Sequence, residues 1–88
     1  MVRIQHLAQA GKANLIATLG SGIDGLVLAG HTDTVPYNAE LWQYDPFAGV
    51  VANERLYGLG AADMRSFLAL ALEAASMFNA ADLRHPLT

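Results

Sequence analysis

The chain has no cysteine among its 88 residues, so neither a disulfide framework nor a thiolate metal site can be built from it. That absence fits a reducing, cytoplasmic setting. Charge is scarce as well: 15% of the residues are charged, with 5 Lys and Arg against 8 Asp and Glu. The formal net charge of −3 leaves no basic patch for nucleic acid. No N-terminal stretch joins basic residues to an apolar run as a signal peptide does. The apolar runs are too short and too interrupted to span a bilayer, so no membrane partner is expected.

Apolar residues are in excess, at 53% of the chain. A small autonomous domain has much surface to cover with polar groups, so this richness suggests a piece of a larger core. Both ends point the same way. Val2-Arg3-Ile4-Gln5-His6-Leu7 alternates like a strand already under way, and His85-Pro86-Leu87-Thr88 stops where another strand could begin. The expectation is therefore a fragment or a truncated gene product.

Along the chain, residues 2 to 7 and 14 to 19 read as strands around a turn at Ala10-Gly11-Lys12. The glycine-rich Gly20 to Gly25 connects to Leu26-Val27-Leu28-Ala29, a continuous apolar run expected of a strand buried on both faces of an α/β sheet. Thr32 to Phe47 has no periodicity and contains Pro36 and Pro46, which marks a loop. Val50-Val51 and Arg55-Leu56-Tyr57 bracket Asn53-Glu54 as a short hairpin. From Ser66 to Ala80 the only polar residues are Ser66, Glu73, Ser76 and Asn79, a narrow stripe on a helix that should be largely covered.

The residues with the most chemistry stand in Gly30-His31-Thr32-Asp33-Thr34-Val35-Pro36, directly after the apolar run. A strand ending in His-x-Asp sets an imidazole and a carboxylate at i and i+2, on one face, where a sheet opens to solvent. An imidazole that ligates a metal needs its other nitrogen hydrogen-bonded, and Asp33 is a suitable partner for His31. The plainer alternative is an ordinary histidine at a strand end. A second carboxylate, Asp63, follows Tyr57-Gly58-Leu59-Gly60-Ala61-Ala62 at the entry to the helix, where an aspartate also serves as a cap. Gly58-Leu59-Gly60 invites comparison with a dinucleotide loop, but Asp63 stands where the third glycine belongs and would repel a pyrophosphate.

Three blocks in register, His31 to Pro36, Leu41-Trp42 with Asp45-Pro46-Phe47, and Leu56 to Arg65, resemble the N-terminal catalytic region of the acetylornithine deacetylases. The wider family includes succinyl-diaminopimelate desuccinylases and aminoacylase metallopeptidases. The resemblance runs from about Val2 to the last residue. It implies an α/β fold in which these residues are a fragment of a mixed, largely parallel sheet flanked by helices. It further implies that residues 1–88 are a partial catalytic domain, with the separate dimerisation domain lying beyond them. By the same resemblance His31 is a ligand to one metal, Asp33 is the catalytic carboxylate that orients it, and Asp63 bridges two metal ions. A cis peptide between Asp63 and Met64 is implied as well.

The implied activity is zinc-dependent hydrolysis of the amide of N-acetyl-L-ornithine, in arginine biosynthesis, by a cytoplasmic homodimer; cobalt could replace zinc. The family's general base and remaining ligands, among them two adjacent glutamates, lie beyond Thr88, so the chain alone should be inactive. A desuccinylase or another N-acyl amino acid amidohydrolase is the nearest alternative. A non-enzymatic module that binds a partner by strand addition is the alternative of another class. Trp42, Tyr44 and Phe47 could line a substrate mouth or anchor the loop. Arg65, His6 and His85 read as solvated.

Overall fold

A computed structural model describes every residue from Met1 to Thr88. The chain divides into two units, Met1–Ala29 together with Glu73–Thr88, and Gly30–Leu72. No side chain in either is fully buried.

In the first unit, alternation produces the expected hairpin. Strand β1 (Val2–His6) pairs antiparallel with β2 (Ala13–Ala17), with Ile4 opposite Leu15 and Arg3 opposite Ile16. Because side chains alternate, Val2 and Ile4 share one face with Leu15 and Ala17, while Arg3 and Gln5 share the other with Asn14 and Ile16. The connection is closed by the Leu7 amide donating to the Lys12 carbonyl at 3.1 Å.

The second strand stops at Ala17, short of the expected Leu19, because Leu19 has another partner. It pairs antiparallel with Leu87 through reciprocal bonds of 2.8 and 2.9 Å. Leu87 also bridges to Leu26 in parallel, so one residue joins both pairings. The apolar run Leu26 to Ala29 does not form the continuous buried strand expected of it. It makes a short parallel pairing with Pro86 to Thr88, in which Leu26 donates to Pro86, Thr88 to Leu26, and Leu28 to Thr88. With no strand on its other side, the run stays open: Leu26 is 62% and Val27 66% exposed. Gly25 permits this pairing, since a Cβ there would collide with the carbonyl oxygen of Pro86.

In the second unit the loop after Thr32 is irregular, as its prolines require, apart from a 3₁₀ turn at Ala39–Leu41 capped by Asn38 Oδ1 accepting from the Glu40 amide. Strands β3 (Val50–Ala52) and β4 (Arg55–Tyr57) form the predicted hairpin, with Val50 opposite Tyr57. Its turn residues Asn53 and Glu54 both have positive φ, 51° and 60°, the backbone of a type I′ turn whose twist suits a two-residue hairpin. Tyr44 tilts against Tyr57 of β4 with ring centroids 4.6 Å apart, and Tyr37 meets Phe47 edge-on at 5.3 Å. For Tyr44 this is an anchoring role.

Helix α1 (Arg65–Ser76) begins where expected and ends four residues early. Its last turn tightens as the Met77 and Phe78 amides bond three residues back, and the Ser76 hydroxyl donates to the Glu73 carbonyl at 2.7 Å. Within it Ser66, Leu68, Ala71 and Ala75 are half-buried. The expectation that the helix is largely covered is not met: Leu70 is 67% and Leu72 70% exposed. Leu68, Ala71 and Ala75, three or four apart, form a stripe too narrow to take up the apolar positions beside it. No helix is long and apolar enough to cross a membrane.

Candidate functional site

The residues singled out for chemistry, His31, Asp33 and Asp63, all belong to the Gly30–Leu72 unit. His31 and Asp33 do meet, although not as a strand end would bring them together, since Gly30 to Asp33 forms no strand and the backbone bends at Thr32. His31 Nδ1 lies 3.0 Å from the Asp33 backbone carbonyl and 3.2 Å from Asp33 Oδ1. Both neighbours are acceptors when the carboxylate is ionised, so Nδ1 carries the proton and donates to them. In the neutral imidazole this tautomer leaves the unshared pair on Nε2. The histidine side chain is 58% exposed and that of Asp33 89%, so the ring is open to a ligand. At such exposure the pair adds little to stability.

Asp63 lies on the opposing segment, between the end of β4 and α1. The Gly30–Thr34 segment runs along this stretch and touches it on both sides of Asp63. A Cβ built at Gly30 would be 2.6 Å from Leu68 Cδ2 and 3.0 Å from Met64 Cε. The Thr32 carbonyl accepts from Arg65 Nε at 2.7 Å. The methyl of Thr34 lies over Gly60, where a Cβ would come within 2.7 Å of it. Gly60 itself has φ of 80°, a left-handed conformation that glycine adopts without strain. Its carbonyl accepts from the Arg65 amide at 2.9 Å, which turns the chain into the helix. The peptide between Asp63 and Met64 is cis, as the resemblance implies.

An imidazole with Nδ1 held and Nε2 free, together with an exposed carboxylate, suits zinc or a similar divalent ion. Nowhere in the chain, however, do three His, Asp or Glu side chains gather into a metal-binding group. The residues fit as part of a ligand set. A separate apolar recess lined by Phe47, Leu56, Leu59 and Ala61 contains none of them.

Arg65 is exposed, in keeping with its solvated reading, and its Nε also donates to the backbone carbonyl of Thr32, between His31 and Asp33. Nothing in the local sequence signals this contact, which joins residues far apart in the chain. His85 Nδ1 donates to the Ile23 carbonyl at 3.2 Å, and no ring contact is found for His6.

Comparison with known proteins bears on the same residues. The model of peptidase family M20/M25/M40 matches residues 27–88. The chain is 56% identical over 86 residues to the acetylornithine deacetylase of Aliivibrio fischeri (strain MJ11), covering 98% of this chain and 22% of that protein. Against the acetylornithine deacetylase of Proteus mirabilis (strain HI4320) it is 51% identical over 87 residues, again 98% and 22%. Against that of Pasteurella multocida (strain Pm70) it is 49% identical over 76 residues, 86% and 20%. The chain thus spans about a fifth of the length of the curated relatives it matches. The matched stretch contains His31, Asp33 and Asp63 together, and the chain belongs to peptidase family M20/M25/M40, with the α/β amidohydrolase domain that this membership implies.

Proposed function

We propose that the protein of which these residues form the N-terminal part hydrolyses the amide of N-acetyl-L-ornithine to ornithine and acetate, using zinc. Residues 1–88 are then part of its catalytic domain, and the enzyme acts in arginine biosynthesis as a cytoplasmic homodimer. The observation that carries the reading is the hold of Asp33 on His31 Nδ1, at 3.0 and 3.2 Å, which leaves Nε2 free for a metal.

In this reading His31 would hold a metal through Nε2, with Asp33 fixing the tautomer and the ring's direction. Asp63 would offer two carboxylate oxygens to a pair of dications, a role for which an amide lacks the charge. Zinc, or cobalt in its place, supplies Lewis acidity towards the amide carbonyl and lowers the pKa of water. The stretch that carries Asp63 is bracketed by Gly60 and Arg65, whose contacts with Thr34 and Thr32 keep it facing the His31 segment. Identity of 47 to 56% to proteins named acetylornithine deacetylase supports that substrate over a succinylated one.

The test is turnover by the full-length protein. N-acetyl-L-ornithine should be hydrolysed faster than N-succinyl-diaminopimelate, and removal of metal by a chelator should abolish the activity until zinc or cobalt is restored. No turnover of either substrate with zinc present, or turnover that survives complete metal removal, would overturn the reading. The 88 residues alone should show none, because two ligands fall short of the roughly three or four that a stable site needs.

A further inference from the structure

We infer that Arg65 is a positioning residue for His31 and Asp33, acting through its Nε–H on the backbone rather than through its charge; this rests on the reading of His31 as a metal ligand. Arg65 Nε donates to the Thr32 carbonyl at 2.7 Å, at the short end of the N–H···O range. That carbonyl belongs to the peptide joining Thr32 to Asp33. Because a peptide is planar, holding its oxygen also sets the direction of the Asp33 amide and limits the rotations on either side. Those rotations decide whether the Asp33 carbonyl and carboxylate stay within reach of His31 Nδ1, where they lie at 3.0 and 3.2 Å.

His31 and Asp33 lie on a bend with no strand to hold it. Nothing in a regular ladder restrains that bend, so the fixed points beside it matter, and Arg65 supplies one at its centre. Arg65 is itself well held. Its amide donates to the Gly60 carbonyl at 2.9 Å, and a Cβ on Gly60 would lie 3.2 Å from Arg65 Cδ and 3.3 Å from Cγ. The bare glycine therefore leaves room for the aliphatic part of the arginine to reach over to Thr32. Of the five N–H donors on a guanidinium, the one used is that bonded directly to Cδ. This makes the proposal separable from charge. Glutamine carries an amide nitrogen on its Cδ, at the same distance along the side chain, and no charge. Methionine has the length without the donor.

The experiment compares Arg65→Met and Arg65→Gln in the full-length protein, with two readouts. The first is hydrogen exchange of the peptide covering residues 30 to 35 in metal-free protein, with residues 65 to 76 as the control for the helix. The second is zinc affinity, measured by competition with a chelator. Arg65→Met should speed exchange in residues 30 to 35 with the helix unchanged, and weaken zinc by about 10-fold, the low end of what orienting partners of a ligand carry. Arg65→Gln should restore both to near the wild-type values. Unchanged exchange in Arg65→Met overturns the proposal, and so does an Arg65→Gln variant as impaired as Arg65→Met, which would assign the effect to charge. Faster exchange with unchanged zinc affinity overturns the link to the metal. His31→Ala then locates the fault: if it too leaves zinc affinity untouched, the ligand reading has failed rather than the role of Arg65.

Discussion

The two units of this chain are held in different ways. In Met1–Ala29 with Glu73–Thr88, repeated backbone pairing does the holding: five residue pairs in the β1–β2 hairpin, then the bridges of Leu19 and Leu26 to Leu87. In Gly30–Leu72, strand pairing is limited to three residue pairs in the β3–β4 hairpin, beside the first two turns of α1. Its candidate site residues sit outside even those, on a bend and a turn fixed by single contacts. A ladder spreads the loss of one bond over its neighbours, whereas a point contact has no neighbour to take its place. Substitutions in the second unit should therefore act sharply and locally.

The sharpest break is expected at Asp63. In the full-length protein, Asp63→Asn removes charge from a carboxylate proposed to serve two metals, and should lose at least one metal with near-complete loss of deacetylation. Asparagine caps a helix about as well as aspartate, so a mere cap would leave metal content and turnover normal. Metal analysis beside a rate measurement decides between the two. Asp33→Asn comes next. It keeps a hydrogen-bonding shape towards His31 without the negative charge, and should lower metal affinity or activity by about 10 to 100-fold while the fold survives. An unchanged zinc affinity would detach Asp33 from the site.

Gly60→Ala tests the contact beneath Thr34. With φ at 80° and a Cβ 2.7 Å from the Thr34 methyl, the alanine meets both backbone strain and crowding. A destabilisation of about 1 to 3 kcal/mol in urea unfolding is expected, with metal affinity falling alongside. Equal stability in the two proteins would show that the segment yields at little cost. The smallest effect is a gain. Glu54 holds a φ of 60° that costs a side-chain-bearing residue roughly 1 kcal/mol, so Glu54→Gly should stabilise the β3–β4 turn by up to about that amount. It should leave zinc affinity where it was.

The parts of this structure that were legible in the sequence are those decided by neighbouring residues. Alternation gave β1, a two-residue polar insertion gave the β3–β4 turn, and the apolar stretch after Asp63 gave α1. The pairing of His31 with Asp33 was legible for the same reason, being a contact across two residues, although a bend rather than a strand end produces it. Contacts between distant residues were not. Leu26 to Ala29 has the composition of a buried strand, but composition cannot say whether partners lie on both sides, and here only Pro86 to Thr88 pairs with it. The grip of Arg65 on Thr32 likewise leaves no trace in local pattern. The early end of α1 turned on one hydroxyl, that of Ser76, taking up a carbonyl at the last turn.

The double pairing of Leu87 has a consequence in time. A ribosome releases residues 30 to 72 well before Leu87, so the β3–β4 hairpin and the Arg65–Thr32 contact can form while the first unit still lacks the residue that joins Leu19 to Leu26. The β1–β2 hairpin closes over a short loop, but the Leu19–Leu87 pairing spans most of the chain, and each doubling of a loop adds about 0.6 kcal/mol to the entropy of closing it. Contacts of such long range slow folding. During synthesis, then, the segment with the candidate ligands can reach its local order first, and the apolar run before it waits for Pro86 to Thr88 to arrive.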